Sequence, residues 1–381
     1  MSGRAAEPGR SGAAGPPLDA AAPVRRGEEL DLPALAAYLR RRLPEAGLDV
    51  PPAAELVVRQ FASGWSNLTY LLRFGAPEDG IELVLRRPPF GDLAATAHDM
   101  AREHRVLAAL TGAWELAPRP YLYCGDPAVI GAPFYVMERR TGLVLRRELP
   151  PGLELPPARA RALSEALADA LAGLHRLDPA AVGLGDLGRP EGYPRRQVEG
   201  WSARYRRAAT DDHPELEEAI RWLAGRVPAA SAAALVHNDF KYDNLVLDPA
   251  DPTRVTAVLD WEMATVGDPR MDLGTTLGYW VEAGDPPELR AFAMGPTALP
   301  GSLTRRELAE RWAAATGAGL DDLVFHYVFG LFKIAVIVQQ IHARWRAGAT
   351  RDPRFAGLDR AVELFGRLAA SAAARGDLAP A

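Results

Sequence analysis

One polar block in the second half of the chain constrains the fold more than any other feature. It reads HNDFKYDN at residues 237–244 and LDWE at residues 259–262, with short apolar runs on either side of the connecting sequence DPADPT. Apolar runs that flank a turn rich in Pro and Asp predict a β-hairpin. Because the two ends of a hairpin meet, we expect Asn244, before the outgoing strand, and Asp260, after the returning strand, at the same end.

The block carries the oxygen groups that phosphoryl transfer requires. Transferring the terminal phosphoryl of a nucleotide needs a carboxylate at the acceptor hydroxyl and hard oxygen ligands for magnesium. Asp239 is predicted to accept or orient the acceptor proton. Asn244 and Asp260 are predicted to bind Mg²⁺, with Glu262 as a further ligand. A surface loop rich in Asp and Asn is the alternative, but the order of His237, the hairpin and a trailing Asp favours the catalytic interpretation.

The order of these residues resembles that of known kinases. The spacing H-x-D-x-x-x-x-N, followed by an Asp, is that of the catalytic loop and metal loop of protein kinases. SGWSNLTY at residues 63–70, VLRRPP at residues 84–89 and the block from 236 to 274 extend the likeness. Residues 55–345 resemble the aminoglycoside phosphotransferase and choline kinase superfamily, in the branch that is fused to acyl-CoA dehydrogenases in animals.

This resemblance implies a bilobal α+β fold of the protein-kinase type. A small antiparallel β lobe is expected at residues 28–140 and a larger, mostly helical lobe at residues 141–375. The resemblance also implies transfer of a phosphoryl group from ATP (or GTP), with Mg²⁺, to a hydroxyl group, and hydroxyacyl-CoA thioesters are a candidate acceptor class. An aminoglycoside or choline kinase shares this machinery and differs in its acceptor pocket. A non-catalytic binding protein of this fold would normally have lost Asp239, Asn244 or Asp260.

The resemblance also gives roles to other residues near the catalytic loop. His237 and Lys241 are predicted to act with Asp239, and a cation at Lys241 would neutralise charge on the phosphoryl oxygens in the transition state. The alternative for Lys241 is a solvated loop lysine. Asp272 is expected to brace the loop through backbone N–H groups, and His175 is expected to be a satisfied histidine at a helix end.

The nucleotide side of the site is predicted from the N-terminal lobe. A turn at residues 62–67 joins two strand-like runs, and Gly64 would let its backbone N–H groups approach phosphate. Ser66 or Asn67 can add side-chain donors. By the resemblance, the next strand places Arg86 where kinases carry a lysine for the α- and β-phosphates.

Arg86 has a predicted partner on the following helix. Apolar spacing predicts a helix over residues 98–110, and the resemblance pairs its Glu103 with Arg86, a solvated glutamate being the alternative. Arg87 points to the other face of the strand and is expected in solvent. Backbone groups from Glu138 to Arg140 are expected to bind the adenine edge.

A basic cluster among aromatic residues is the candidate acceptor site. It consists of Arg195, Arg196, Trp201, Arg204 and Tyr205. Aminoglycosides are polycations and should prefer an acidic pocket, whereas an anionic CoA group suits this cluster. A solvated helix face is the alternative.

Composition limits the remaining possibilities. The formal charge is −5, from 44 Lys and Arg against 49 Asp and Glu, so we expect no global attraction to nucleic acid or anionic membrane. Cys124 is the only cysteine, which excludes an internal disulfide. Residues 1–27 are expected to be a disordered tail. No run is expected to reach the length of a membrane span, and a cytoplasmic location is predicted.

Overall fold

The N-terminal lobe is built on one antiparallel sheet. The computed structural model describes residues 21–61, 67–90, 99–229, 232–348 and 355–379. The sheet has five strands in the order β1-β2-β3-β5-β4. They are β1 Leu56–Gln60, β2 Leu68–Phe74, β3 Ile81–Arg87, β4 Pro120–Cys124 and β5 Phe134–Glu138. The sheet confirms the predicted β lobe, and Gly64 and Ser66 of the predicted phosphate loop lie outside the described residues.

Two helices cover the two faces of this sheet. Helix α1 (Leu32–Arg42) packs on the face that carries Leu83 and Leu85, while α2 (Met100–Leu110) belongs to the core that includes Val84. Alternation along β3 therefore turns Val84 and Arg86 toward the large lobe. Both helices begin at an aspartate whose side chain accepts a backbone N–H of the first turn, as N-terminal capping predicts.

Residues 21–27, which the prediction placed in a disordered tail, belong to the described structure and contact the small lobe. Ala22 and Gln60 exchange two backbone hydrogen bonds of 2.8 Å, which adds a short bridge beside β1. The Gln60 side chain also accepts the backbone N–H of Arg25 at 2.9 Å. An edge strand offers unpaired N–H and C=O groups, and these contacts use them.

The large lobe is mostly helical. After β5 the chain crosses into it and Leu143 pairs with Leu247 through two backbone hydrogen bonds. Its helices are α3 Pro157–His175, α4 Tyr193–Ala208, α5 Pro214–Ala224, α6 Pro269–Tyr279, α7 Pro287–Ala291, α8 Arg305–Thr316, α9 Leu323–Arg346 and α10 Leu358–Arg375. The two lobes confirm the predicted α+β kinase-like architecture.

Two small antiparallel sheets carry the predicted catalytic segments of the large lobe. Strand β6 (Ala234–Val236) pairs with β9 (Thr265–Gly267), and β7 (Leu245–Leu247) pairs with β8 (Val255–Val258). The β7–β8 pair is the predicted hairpin. The catalytic loop therefore runs from β6 to β7, and the metal loop runs from β8 to β9.

Helix α9 corrects the expectation that no segment reaches the length of a membrane span. It has 24 residues and is apolar enough to cross a membrane by length and composition. However, 78% of its most apolar 18-residue window is buried inside the protein, where it packs against α6 and α10. A helix that is apolar all round is also what the core of a large domain requires.

Helices α6 and α9 cross with their backbones in contact. A Cβ atom at Gly274 would lie 2.1 Å from the carbonyl oxygen of His326, and one at Gly330 would lie 2.0 Å from the carbonyl oxygen of Gly274. Such distances exclude a side chain at either position. The crossing fixes α9 directly behind the catalytic loop, because α6 also holds that loop.

Candidate active site

The catalytic loop gathers two of the predicted residues, Lys241 and Asn244, around the carboxylate of a third, Asp239. Lys241 Nζ donates to Asp239 Oδ2 at 2.5 Å, and Asn244 Nδ2 donates to the same oxygen at 2.9 Å. Asn244 Nδ2 also donates to the backbone carbonyl of Asp239 at 2.8 Å. Burial alone would lower the pKa of Lys241, but the Asp239 carboxylate holds it well above its ordinary value. Lys241 is therefore a paired cation at the site, not a solvated loop lysine.

The hairpin brings the metal loop to the catalytic loop as predicted. The backbone N–H of Leu259 donates to the carbonyl of Asn244 at 2.8 Å, so Asp260 follows directly beside Asn244. Asp260 has a left-handed backbone with φ of +65°. That conformation is uncommon for a residue other than glycine and is typical of functional turns.

Arg86 connects both lobes through its guanidinium fork. Its Nη1 lies 2.8 Å from Glu103 Oε1, and its Nη2 lies 3.0 Å from Asp260 Oδ1 and 3.5 Å from Glu262 Oε2. The predicted pairing of Arg86 with Glu103 is thus present. A guanidinium can hold two carboxylates on different elements at once, whereas a lysine offers one point charge.

The pKa values of Glu103 and Asp260 are shifted in opposite directions, because burial dominates for Glu103 and the Arg86 contact dominates for Asp260. Burial raises the pKa of Glu103, and Arg86 reduces that effect. Burial alone would also raise the pKa of Asp260, but the Arg86 guanidinium lowers it below its ordinary value. Asp260 therefore carries a negative charge at neutral pH.

Asn67 and Glu262 meet across the two lobes. Asn67 Nδ2 donates to Glu262 Oε2 at 2.8 Å. Asn67 is the last residue of the predicted phosphate loop and the first one after residues 62–66 that the structure describes, so this bond ties that end of the loop to the metal loop. Arg102 of α2 adds hydrogen bonds to the carbonyls of Glu262 and Ala264.

Asn244 and Asp260 offer a donor set that suits magnesium. The side-chain nitrogen of Asn244 donates to Asp239, and no hydrogen bond of the described residues uses the side-chain oxygen of Asn244. That oxygen can therefore bind a metal ion. Asp260 uses Oδ1 for Arg86, and its side chain is 34% exposed. Hard oxygen atoms are the ligands that Mg²⁺ prefers, and it commonly takes only one or two from protein beside phosphates and water. In the described part of the chain, no group of three or more His, Cys, Asp or Glu is arranged to hold a metal ion by itself.

The hinge differs in part from the prediction. The backbone N–H of Glu138 donates to the carbonyl of Arg119 at 2.9 Å, so it is not available to adenine. The Glu138 carboxylate accepts from the Arg119 N–H at 2.6 Å and lies 2.7 Å from Arg140 Nη2. The side chains of Glu138 and Arg140 therefore hold the hinge to the start of β4.

The prediction for Arg87 is also corrected. The prediction placed it in solvent, but only 2% of the residue is exposed. Its guanidinium donates to the carbonyls of Pro88 and Ile130 at 3.0 Å and lies 3.8 Å from the ring centre of Phe90. Arg87 does point to the opposite face of β3 from Arg86, as strand alternation predicted. However, the loop around Ile130 covers that face.

His237 is a positioning residue rather than a group that meets substrate. The side chain is fully buried, its Nε2 lies 2.9 Å from the carbonyl of Leu259, and its Nδ1 accepts the backbone N–H of Asp239 at 3.3 Å. Because the backbone N–H of Asp239 can only donate, Nδ1 is the nitrogen without a hydrogen, and Nε2–H donates to the Leu259 carbonyl. Burial lowers the pKa of His237, so the ring is neutral and joins the catalytic loop to the metal loop.

Asp272 braces the catalytic loop as expected. Its two carboxylate oxygens accept the backbone N–H groups of His237 at 2.6 Å and Asn238 at 2.8 Å. His175 Nε2 lies 3.1 Å from the same carboxylate, and the indole N–H of Trp312 donates to His175 Nδ1 at 2.9 Å. His175 is thus satisfied on both nitrogens. Burial alone would raise the pKa of Asp272, and the His175 bond lowers it.

Tyr279 is a site residue that the motifs do not reveal. Lys241 Nζ lies 4.8 Å from the centre of its ring, and its hydroxyl interacts with the Asp239 carboxylate. Burial and this negative neighbour raise the pKa of Tyr279. Helical spacing offered a signal, because Asp272, Thr276 and Tyr279 follow an i, i+4, i+7 pattern that puts them on one face. Thr276 also contacts the loop, donating to the carbonyl of Phe240 at 3.0 Å.

The candidate acceptor cluster divides into two groups on α4. Arg195, Arg196 and Arg204 are exposed. Trp201 and Tyr205 are buried in the core of the large lobe, so the prediction that they contact an acceptor is corrected. Helix α4 is amphipathic, and its aromatic residues provide the apolar face.

Comparison with known proteins identifies the family of this chain. A model of the phosphotransferase enzyme family matches residues 57–313. The chain belongs to that family. A Ralstonia eutropha protein assigned to the aminoglycoside phosphotransferases has 31% sequence identity and a TM-score of 0.75, over 91% of this chain and 99% of that one. Choline kinase from Cryptosporidium parvum shares the fold, with 12% identity and a TM-score of 0.56 over 92% and 98% of the two chains.

The curated relatives of this family member are longer proteins. Acyl-CoA dehydrogenase family member 11 from Gallus gallus is 37% identical over 365 residues, which are 91% of this chain and 45% of that protein. An Arabidopsis thaliana protein named probable acyl-CoA dehydrogenase IBR3 is 34% identical over 77% of this chain and 37% of its own length. The chain thus spans less than half of the relatives it matches. These relatives confirm the predicted branch of the superfamily.

Proposed function

We propose that this phosphotransferase transfers the terminal phosphoryl group of ATP, with Mg²⁺, to a hydroxyl group of a small molecule. The observation that carries the proposal is the convergence of Asp239, Asn244 and Asp260 at one end of the β7–β8 hairpin. A carboxylate for the acceptor and oxygen ligands for the metal are the protein groups this reaction needs.

Asp239 would orient the acceptor and receive its proton. Lys241 and Asn244 both bond to Oδ2, so this oxygen is fixed and Oδ1 is the one proposed to face the acceptor hydroxyl. As the hydroxyl oxygen attacks the γ-phosphorus, its proton would pass to Asp239, the bond from that phosphorus to the β–γ bridging oxygen would break, and ADP would leave. Negative charge develops on the phosphoryl oxygens in the transition state. The Lys241 ammonium, which is paired with Asp239, would then also stabilise those oxygens.

The other side of the cleft would hold the nucleotide. Arg86 is proposed to bond the α- and β-phosphate oxygens, with Glu103 fixing the guanidinium from behind. The half-buried end of β5 and the residues after it would receive the adenine, through backbone groups other than the engaged N–H of Glu138. Gly64, Ser66 and Asn67 remain predicted phosphate contacts.

Asn244 and Asp260 would hold Mg²⁺, with Glu262 as a second carboxylate close by. When bound, the metal would neutralise negative charge on the phosphate oxygens. Arg86 Nη2 contacts both Asp260 and Glu262. The same carboxylates would therefore serve the metal and the phosphate-binding arginine.

Hydroxyacyl-CoA thioesters are the acceptor class we favour. The exposed arginines Arg195, Arg196 and Arg204 on α4 offer positive charge to an anionic CoA group. The names of the relatives, which are acyl-CoA dehydrogenase family members, support the same class. Aminoglycosides and choline are cationic, so they suit this face less well.

A screen of acceptors tests the proposal. ADP release would be measured with Mg-ATP and, in turn, hydroxyacyl-CoAs, simple alcohols, choline and aminoglycosides. Hydroxyacyl-CoA should stimulate ADP release, and the matched acyl-CoA without the hydroxyl should not. The Asp239→Ala variant gives the background. ATP binding with no ADP release above that background for any acceptor would indicate a non-catalytic protein and contradict the proposal.

A further inference from the structure

Lys333 is a buried cation directly behind the catalytic loop. It lies in the middle of α9, and only 1% of the residue is exposed. The close crossing of α6 and α9 at Gly274 and Gly330 brings this part of α9 to the loop. Lysine is almost never fully buried without a specific partner.

The ammonium contacts the residue that precedes Asp239. Lys333 Nζ donates to the carbonyl oxygen of Asn238 at 2.6 Å, and it lies 5.6 Å from the ring centre of Trp201 on α4. The Trp201 ring also lies 4.7 Å from the guanidinium carbon of Arg204. A charged donor to a carbonyl inside the protein makes a stronger hydrogen bond than a neutral one.

Asn238 adopts a conformation that needs support. Its φ is +68°, in the left-handed region that residues other than glycine rarely adopt. Three further bonds hold it, since its N–H donates to Asp272 and its amide contacts the Tyr193 hydroxyl and the Met263 carbonyl. Strained backbone of this kind persists only where the surroundings fix it.

We infer that Lys333 is a positioning residue of the phosphotransfer reaction, which holds the Asn238 peptide so that the Asp239 carboxylate faces the acceptor. The inference rests on the proposed function. The Asn238 carbonyl belongs to the peptide unit whose nitrogen is that of Asp239, so the bond fixes the plane from which the Asp239 side chain leaves. A displacement of about 1 Å at a reacting group can cost on the order of a hundredfold in rate.

The charge of Lys333 gives this role a pH signature. Burial lowers the pKa of Lys333 to about 8. The charged groups around it are Asp272 on α6, Asp239 and Lys241 in the catalytic loop, and Arg204 on α4. Deprotonation removes the charge from the bond to Asn238, so turnover should fall as pH rises through about 8. An arginine stays protonated throughout this range.

Three variants separate positioning from simple packing. Lys333→Met keeps the length and removes the charge, and Lys333→Arg keeps the charge. Gln339→Leu is the matched control, because Gln339 is equally buried on α9 and donates to the Ala208 carbonyl and to Thr210, away from the catalytic loop. Each variant is assayed for kcat, for KM of ATP, for the pH dependence of kcat and for amide hydrogen exchange.

The expected results are specific to Lys333. Lys333→Met should lose roughly 10- to 100-fold in kcat with little change in KM for ATP, and amide exchange at residues 237–241 should quicken. Lys333→Arg should lose the fall in activity near pH 8, and Gln339→Leu should keep wild-type kcat, pH profile and loop exchange.

Other results would overturn the inference. Wild-type kcat in Lys333→Met, or equal losses of kcat in Lys333→Met and Gln339→Leu, would show that Lys333 only packs the core. If the wild-type protein transfers no phosphoryl group, the proposed function fails. The exchange experiment then still decides the structural part, since unchanged protection at residues 237–241 in Lys333→Met would refute it.

Discussion

Replacing Arg86 with methionine should damage stability and nucleotide binding by separate routes. Glu103 is Arg86's ion-pair partner at 2.8 Å, and its side chain is 1% exposed. Removing one partner of a buried ion pair leaves an uncompensated charge and costs about 3–5 kcal/mol of unfolding free energy. The side chain of Asp260 is 34% exposed, so water can replace part of the stabilisation that Asp260 loses with Arg86. We therefore assign most of the loss of stability to Glu103.

The same change should weaken nucleotide binding. A hydrogen bond to a charged group contributes about 1.5–3 kcal/mol, which corresponds to roughly 10- to 150-fold in Kd. The double variant Arg86→Met/Glu103→Leu replaces the pair with apolar groups, and such replacements are often neutral for stability. It should regain most of the lost stability and none of the lost affinity for Mg-ATP.

Urea unfolding and calorimetry with Mg-ATP measure the two effects. Arg87→Met is the control, because Arg87 is buried on the same strand with carbonyl and ring partners, on the face away from Asp260. It should lose stability and keep nucleotide affinity. Recovery of Mg-ATP affinity in the double variant would refute the role of Arg86 at phosphate. A loss below about 1 kcal/mol in Arg86→Met would refute the argument from burial.

Three further predictions concern the catalytic and metal loops. Asp260→Ala should remove Mg²⁺-dependent ATP binding in calorimetry while Glu262→Ala keeps part of it, and unchanged affinity in Asp260→Ala would contradict the metal assignment. Lys241→Met should lower kcat with little change in the Kd of ATP, and wild-type kinetics would end that role. Tyr279→Phe keeps the ring beside Lys241 and removes the hydroxyl beside Asp239, so kcat should fall roughly 3- to 10-fold, the scale of one hydrogen bond; an unchanged kcat would exclude a role for the hydroxyl.

The parts of the site that the sequence could predict are those set by short spacing along the chain. Asn244 and Asp260 meet because the β7–β8 hairpin between them has fixed ends, and hairpins are specified by local turn chemistry. The contact between Arg86 and Glu103 was predictable because the family motif pairs a residue at this position of strand β3 with a glutamate on helix α2. The bracing by Asp272 follows from the same motif.

The parts that the sequence could not predict depend on distant contacts. Lys333 and Asn238 are 95 residues apart, and only the packing of α9 on α6 brings them together. Arg87 and Trp201 carry polar or amphipathic side chains, whose burial depends on what covers the strand or helix face. His237 lies two residues before Asp239 in sequence, but its ring faces the core, which the motif does not encode.

The role of Asp239 is the centre of this account, and Asp239→Asn tests it most directly. Asparagine keeps the shape and can still meet Lys241 and Asn244 in the loop, but it cannot accept the acceptor proton. Transfer of the terminal phosphoryl of ATP to the best acceptor, followed by ³¹P NMR, should slow by roughly 10²- to 10⁴-fold. Calorimetry should give an Mg-ATP affinity close to that of the wild type. A variant that transfers phosphoryl at a near wild-type rate would contradict the account.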